Sequence, residues 1–371
     1  MTPQWQRWAG WGLVLNCLVV LPLVLGAETG SELKIGLLAP PQEADAASVR
    51  QGATLGIEWV NRLAGEKAQL VIRGRPGQWG TEGDEAAVLG LDEGVGAIIA
   101  PPGGSASHQV MQIAGRTRIP VATLCSDSSV SGSGIPWVVR VVPRSDLEAE
   151  TIFRGVTNAM GVARWAALVP EGRAGREGAK DLKKAAEIVG CTLTEPVKLS
   201  TREEDWGRDV QKALANRPGG ILLWVDSATA ARLARFAREG GFRGLLAGPS
   251  RLRSSAFVRN AGKAAEGCFI PTMVGPETSS NQLKSFAEAY RKQFGNEPDF
   301  MATAAADSVM LLAQLLRGAG EQPPYRLFPL KQEFSGITGQ LRFDKDGNRL
   351  VSLGLMICRE GEFKPFLSES H

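Results

Sequence analysis

Two short polar loops carry the residue types on which ligand chemistry could rest. PPGGSAS (101–107) follows the apolar run GAIIA, and LCSDSS (124–129) follows the apolar run IPVAT. They offer serine hydroxyls, glycine-exposed amides and one carboxylate, Asp127. Neither holds a histidine pair, a Gly-Lys-Ser/Thr phosphate cradle or a Cys-x-x-Cys. His108 and His371 are the only histidines of the chain, so no nucleophile–base set and no metal-ligand cluster stands out. Such loops hold a small polar molecule without transforming it. No catalytic residue, metal or cofactor is expected.

The elements that must position these loops follow from hydrophobic period. LKIGLLA (33–39) is a buried strand ended by Pro40 and Pro41. A helix over 45–64 presents Leu55, Trp59, Val60 and Leu63, with Gly52 and Gly56 letting it approach the sheet closely. A strand at 69–73, a helix at 82–91, the two loop-bearing βα units and a strand at 137–142 complete a first run. A second run begins at Ser145, with strands at 165–169, 193–198, 220–225 and 244–247 and helices at 177–189, 206–216 and 228–239. Strands alternating with helices of 10–15 residues mean parallel sheets. Two runs joined at Pro143, and again near Cys268–Pro271, imply two similar lobes. Helices at 281–294 and 303–317 are too few for a third domain and return to the first lobe.

In parallel α/β sheets, ligands bind at the carboxyl ends of the strands. The candidate binding residues therefore lie in strand-end loops: Gly104, Ser105 and Ser107; Cys125, Ser126 and Asp127; and, in the second run, Asp226 and Ser250. Asp127 and Asp226, one per lobe, would clasp a cationic or polyhydroxyl ligand; capping their own turns is the alternative use of both. Ser105 and Ser107 precede a helix and suit both capping and ligand contact. Trp79 in RPGQWGTEG would form an apolar wall, and Arg173 in PEGRAGRE a cationic lip. DKDGN (344–348) lacks the later glutamate of a calcium loop and reads as a hairpin turn.

Composition narrows the class. The 371 residues suffice for two domains, and a net charge of +3 offers no basic stripe for nucleic acid. Residues 1–27, with Arg7 ahead of an apolar stretch and Gly26-Ala27 at its end, read as an export signal; a retained membrane anchor is the alternative. Cys125, Cys191, Cys268 and Cys358 fall singly without paired spacing and are expected as buried free thiols.

The tail FSGITGQLRFDKDGNR (334–349) resembles the closing segment of type I periplasmic solute-binding proteins of the leucine/isoleucine/valine-binding family. GIEWVNRLAGEKAQLVI, GAIIAPPGGSASHQVMQIAGRTRIPVAT and GGILLWVDSATAARLARFAREGGFRGLLAGPS agree in order and spacing, over roughly residues 33–365. The resemblance implies an α/β fold of two Rossmann-like lobes with parallel sheets, joined by three crossovers and closing on a ligand. Lobe 1 would take residues 32–142 plus 274–352, and lobe 2 residues 143–273 plus 353–371. It implies a periplasmic or extracellular protein, a monomer, that delivers a small polar ligand (an amino acid, an amide or a relative) to the membrane permease subunits of an ABC importer. A sensory or regulatory module on the same fold is the alternative.

The family's binding positions carry over imperfectly. Its carboxylate-holding serine falls on Gly104, beside Ser105 and Ser107; its small residue and threonine fall on Cys125 and Asp127. Its ammonium-pairing acid falls on Ser250, and aromatic positions fall on Asp226 and Gly175. A carboxylate at Asp127 would repel a ligand carboxylate by about 4 kcal/mol at about 4 Å with an effective dielectric near 20. Arg173 or Arg176 would have to compensate, or the ligand is not a standard α-amino acid.

Overall fold

The fold opens on Leu33–Leu38 (β1), apolar but for Lys34; its last four residues are buried, and it is a strand covered on both faces. The computed structural model describes residues 32–64, 67–77, 80–273 and 281–366. After β1 come Ala46–Ala64 (α1), Ala68–Arg73 (β2), Thr81–Ala87 (α2) running into a π turn over Val88–Asp92, Ala97–Ala100 (β3), Gly104–Thr117 (α3), Val121–Thr123 (β4) and Val138–Arg140 (β5). All pairings in this sheet are parallel, in the order β2-β1-β3-β4-β5.

The second run is Ser145–Met160 (α4), Arg164–Val169 (β6), Arg173–Val189 (α5), Thr192–Leu193 (β7), Val197–Lys198 (β8), Trp206–Leu214 (α6), Gly220–Leu223 (β9), Ser227–Glu239 (α7), Leu245–Ala247 (β10), Ser255–Ala261 (α8) and Cys268–Thr272 (β11). The single strand expected over 193–198 is two short ones, both on β6, with Pro196 between them unable to donate to the ladder. Asn281–Phe294 (α9), Phe300–Ala319 (α10) and the hairpin Phe334–Gly336 (β12) with Gly339–Leu341 (β13) belong to the first core. Gly354–Arg359 (β14) and Glu362–Phe366 (β15) then add antiparallel strands to the second sheet, which runs β15-β14-β11-β10-β9-β6-β7. The chain thus passes between the sheets after β5, after β11 and before β14.

Strand alternation sorts the cores. Ala97 and Ile99 pack with α1 and α10, whereas Ile98 and Ala100 pack with α2 and α3. In the second sheet Trp165 and Ala167 join α4 and α5, while Ala166 and Leu168 join α6, α7 and α8. α10 is apolar and long enough to cross a membrane, yet 89% of its apolar window is buried inside the protein. Its seat on α1 corrects one expectation. Gly52 and Gly56 do not face the sheet; a Cβ on Gly52 would overlap the Ala302 carbonyl, and one on Gly56 would stand 3.1 Å from Ala306 Cα. These glycines bring two helices together.

One buried polar pair ties a late segment to the body, and one carboxylate holds its own turn. Asp307 in α10 lies 3.1 Å from Arg349 Nη1 and accepts the Thr338 amide at 3.1 Å, which locks the β12–β13 turn. Asp344 Oδ1 accepts the amides of Asp346 and Asn348 at 2.9 and 2.8 Å, so DKDGN is a turn held by its own first carboxylate.

Candidate functional site

The carboxyl ends of β3, β4, β6, β9 and β10 converge on one cavity of about 400 Å³. Pro102, Gly103, Gly104, Cys125, Ser126 and Asp127 line it from the first sheet's loops, with Gln42, Glu43 and Ala44 from the loop after β1. From the second sheet come Pro170, Ala174, Glu177, Gly178, Trp224, Val225, Asp226, Pro249 and Arg251; Ser145 of α4 also reaches the wall. An adjoining cavity of about 290 Å³ shares Gln42, Glu43, Gly103, Gly104 and Ala174 and adds Glu82 and Ser105.

Of the residues expected to bind, Gly104, Cys125, Ser126, Asp127 and Asp226 stand on the main wall. Ser105 is exposed and stands on the adjoining one. Ser107 does not reach the cavity. Its hydroxyl donates to the Pro101 carbonyl at 2.8 Å and pairs with Thr123 Oγ1 at 2.9 Å, while Thr123 Oγ1 accepts the Cys125 amide at 3.1 Å. It is a strut joining both loops from beneath, because the second turn of α3 points into the protein. Neither serine caps α3, whose N-cap is Gly103 with no side-chain bond. Ser250 is also fully buried, and its amide donates to Glu148 Oε1 at 2.9 Å. Burial pushes that carboxyl up to about 7. Trp79 lies outside the described residues.

Arg173, the first residue of α5, is off the wall and pins the two halves together. Its Nη2 donates to His108 Nε2 and to Ser129 Oγ, both at 2.9 Å. A guanidinium can only donate, so His108 is neutral there with Nε2 as acceptor. Burial, then the Arg173 charge, hold the imidazole below its usual range. Arg173 Nε stands 3.8 Å from Asp127 Oδ2.

The acids of the wall differ in what they do. Asp127 Oδ1 accepts the Ser129 amide and hydroxyl at 2.9 and 2.7 Å, whereas Oδ2 is buried without a hydrogen-bond partner. Asp226 caps α7, its Oδ1 accepting the amides of Ala228 and Thr229 at 2.9 and 3.0 Å and its Oδ2 the Thr229 hydroxyl at 2.7 Å. Burial raises Glu43; the Arg251 charge opposes this, and Asp45, Glu82 and Asp226 add to it.

Sequence reasoning missed Glu43, Glu177, Trp224 and Arg251. Arg251 pairs with Asp45 across the cleft; against burial, which lowers it, Asp45 and Asp226 hold its guanidinium above the ordinary value. The one available signal was position, since Trp224 lies two residues before Asp226 and Arg251 directly follows Ser250. Arg140 was missed too, although a lone arginine in the apolar run VVRVV marks a buried brace. Its Nη1 donates to the carbonyls of Cys125 and Asp127 at 2.9 and 2.7 Å, holding the loop that carries both. The Cys125 thiol is pushed up to about 11 by burial, which makes it wall and not nucleophile.

Two α/β halves with a cavity at their facing strand ends define a two-lobed binding protein. The periplasmic binding protein family model matches residues 32–327, and the chain belongs to that family. The fold is shared with solved structures of branched-chain amino acid binding proteins. The leucine-binding protein LivK of Thermotoga maritima is 21% identical, with a TM-score of 0.80 over 90% of this chain and 98% of that one. LivJ of Streptococcus pneumoniae, in complex with isoleucine, is 18% identical with a TM-score of 0.80 over 90% and 98%. A solute-binding protein of an ABC transporter from Rhodopseudomonas palustris, in complex with 3,4-dihydroxybenzoic acid, is 18% identical with a TM-score of 0.78 over 90% and 95%. No curated protein sequence matches the chain.

Proposed function

We propose that this protein is an extracytoplasmic solute-binding protein that closes two lobes on a small polar ligand and delivers it to the permease subunits of an ABC importer. The observation that carries the reading is the 400 Å³ cavity, whose walls come from strand-end loops of two separate sheets. Closure of such lobes converts binding into a shape that a membrane partner can recognise. Residues 32–142 plus 274–352 and residues 143–273 plus 353–371 act as the two lobes, and residues 1–27 direct export of a monomer. Solute binding, without catalysis, is supported by a wall with no nucleophile–base pair among the described residues. His108 is held by Arg173 and Ser129 and does not line the cavity.

The test is a thermal-shift screen of the mature chain over amino acids, amides, amines and small organic acids. A ligand at about 100 times its dissociation constant adds about 2.7 kcal/mol of stability. Loss of uptake of that ligand on deletion of the gene then ties binding to import. A chain whose melting no small molecule moves, and whose deletion leaves every uptake intact, would overturn the reading.

A further inference from the structure

We propose that the cleft selects an organic cation, an amine or guanidinium compound without a free carboxylate, held between Glu43 and Glu177. The inference rests on the solute-binding reading and names its ligand class. Glu43, Asp127, Glu177 and Asp226 line the cavity, and Arg251 is the only cation among the described lining residues. Arg251 is already paired with Asp45, and Asp226 is engaged in capping α7. The side chains of Glu43 and Glu177 have neither a hydrogen bond nor an ion pair among the described residues. One carboxylate from each side of the cleft is therefore left without a direct ion pair, which is the arrangement that a cation completes.

A second observation points to the same class. The Asp127 side chain is 9% exposed, and its buried Oδ2 has no hydrogen-bond partner, only the Arg173 Nε at 3.8 Å. A Cβ on Gly104 would stand 2.8 Å from that oxygen, and a Cβ on Gly103 would overlap Glu43 Oε1. The two glycines at the start of α3 thus seat two of the protein's own carboxylates. A helix N-terminus attracts anions, and here the protein supplies them, so an anionic ligand would meet like charge on both sides. Trp224 and Val225, with Pro102, Pro170 and Pro249, give an apolar wall for a methylene chain, and the indole face suits an ammonium. Glu43 also borders the adjoining cavity, which adds Glu82, so an elongated ligand with two cationic ends fits the cleft. Burial raises the Glu43 carboxyl, and an approaching cation would lower it again.

Isothermal titration of the mature chain with putrescine and agmatine, beside leucine and benzoate, tests this. The result expected is binding of at least one of the two cations, weakened at least about tenfold by Glu43→Gln and by Glu177→Gln. Raised salt weakens it too, and circular dichroism verifies that both variants fold. Binding of leucine or benzoate without either cation overturns the cation inference and leaves the solute-binding reading standing. Cation binding unchanged in both variants overturns the assignment to Glu43 and Glu177. No heat with any of the four compounds overturns the inference, and the unmoved melting described above is what would overturn the broader reading.

Discussion

Asp226 separates two uses of one carboxylate, and Asp226→Ala measures which of them dominates. The sequence places it to grip a ligand, yet in the folded protein it makes three bonds to its own helix, to the amides of Ala228 and Thr229 and to the Thr229 hydroxyl. Removing an aspartate N-cap costs about 1 kcal/mol, and losing a negative charge at a helix N-terminus adds about 0.5 kcal/mol. The expected loss is therefore about 1.5 kcal/mol, a fall in melting temperature of roughly 3 °C for a unit of this size. Asp226→Asn keeps the cap and recovers about 1 kcal/mol of it. Ligand affinity, measured by titration, should change by less than about 1 kcal/mol, since the carboxylate is already committed. Urea unfolding of the three proteins at one pH gives the numbers. A variant with unchanged stability and affinity reduced more than about tenfold would refute the reasoning and return Asp226 to the ligand.

Acidification should weaken the contact between the halves. The folded pKa of His108 lies below its ordinary value, so the stability it contributes is present above about 6.5 and is lost as pH falls through the folded pKa. His108 faces Arg173, Asp127, Glu177 and Arg140; unfolding midpoints from pH 7.5 to 5 should fall less in His108→Gln than in the parent. Arg349→Met strands the Asp307 carboxylate, whose side chain is 0% exposed, and should cost about 3–5 kcal/mol in chemical denaturation. Asp307→Asn in that background should recover part of the loss, and no recovery would mean that packing, not charge, sets the cost. Gly52→Ala should destabilise by about 1–3 kcal/mol despite the better helix propensity of alanine, because the new methyl meets the Ala302 carbonyl. A gain in melting temperature would show that α1 and α10 slide apart freely.

Much of the architecture was legible because it depends on local period. The parallel strands of both runs and the return of α9 and α10 follow from apolar runs, turn residues and helix length. Helices α4 and α8 and the β14–β15 pair went unread. α4 buries three polar residues, Ser145, Asp146 and Glu148, among its apolar ones, and two short antiparallel strands at the end of the described residues carry little pattern. In the site, composition of the loops identified Gly104, Cys125, Ser126, Asp127 and Asp226 as wall residues but not their tasks. Ser107 and Ser250 share the same loops, and only the direction of a helix turn sends their side chains inward.

The sequence alone determined the parallel α/β class and the two loops at neighbouring strand ends, since these are properties of neighbours along the chain. The tertiary structure decided the charge of the cleft. Arg251 is neutralised by Asp45, 206 residues away, and Arg173 stands 3.8 Å from Asp127 across the halves. Glu43 and Glu177 are left without such partners among the described residues. Coulomb interactions act through space and fall off with distance and dielectric, so which carboxylates keep their charge for a ligand is settled only when the fold has brought every cation to its place.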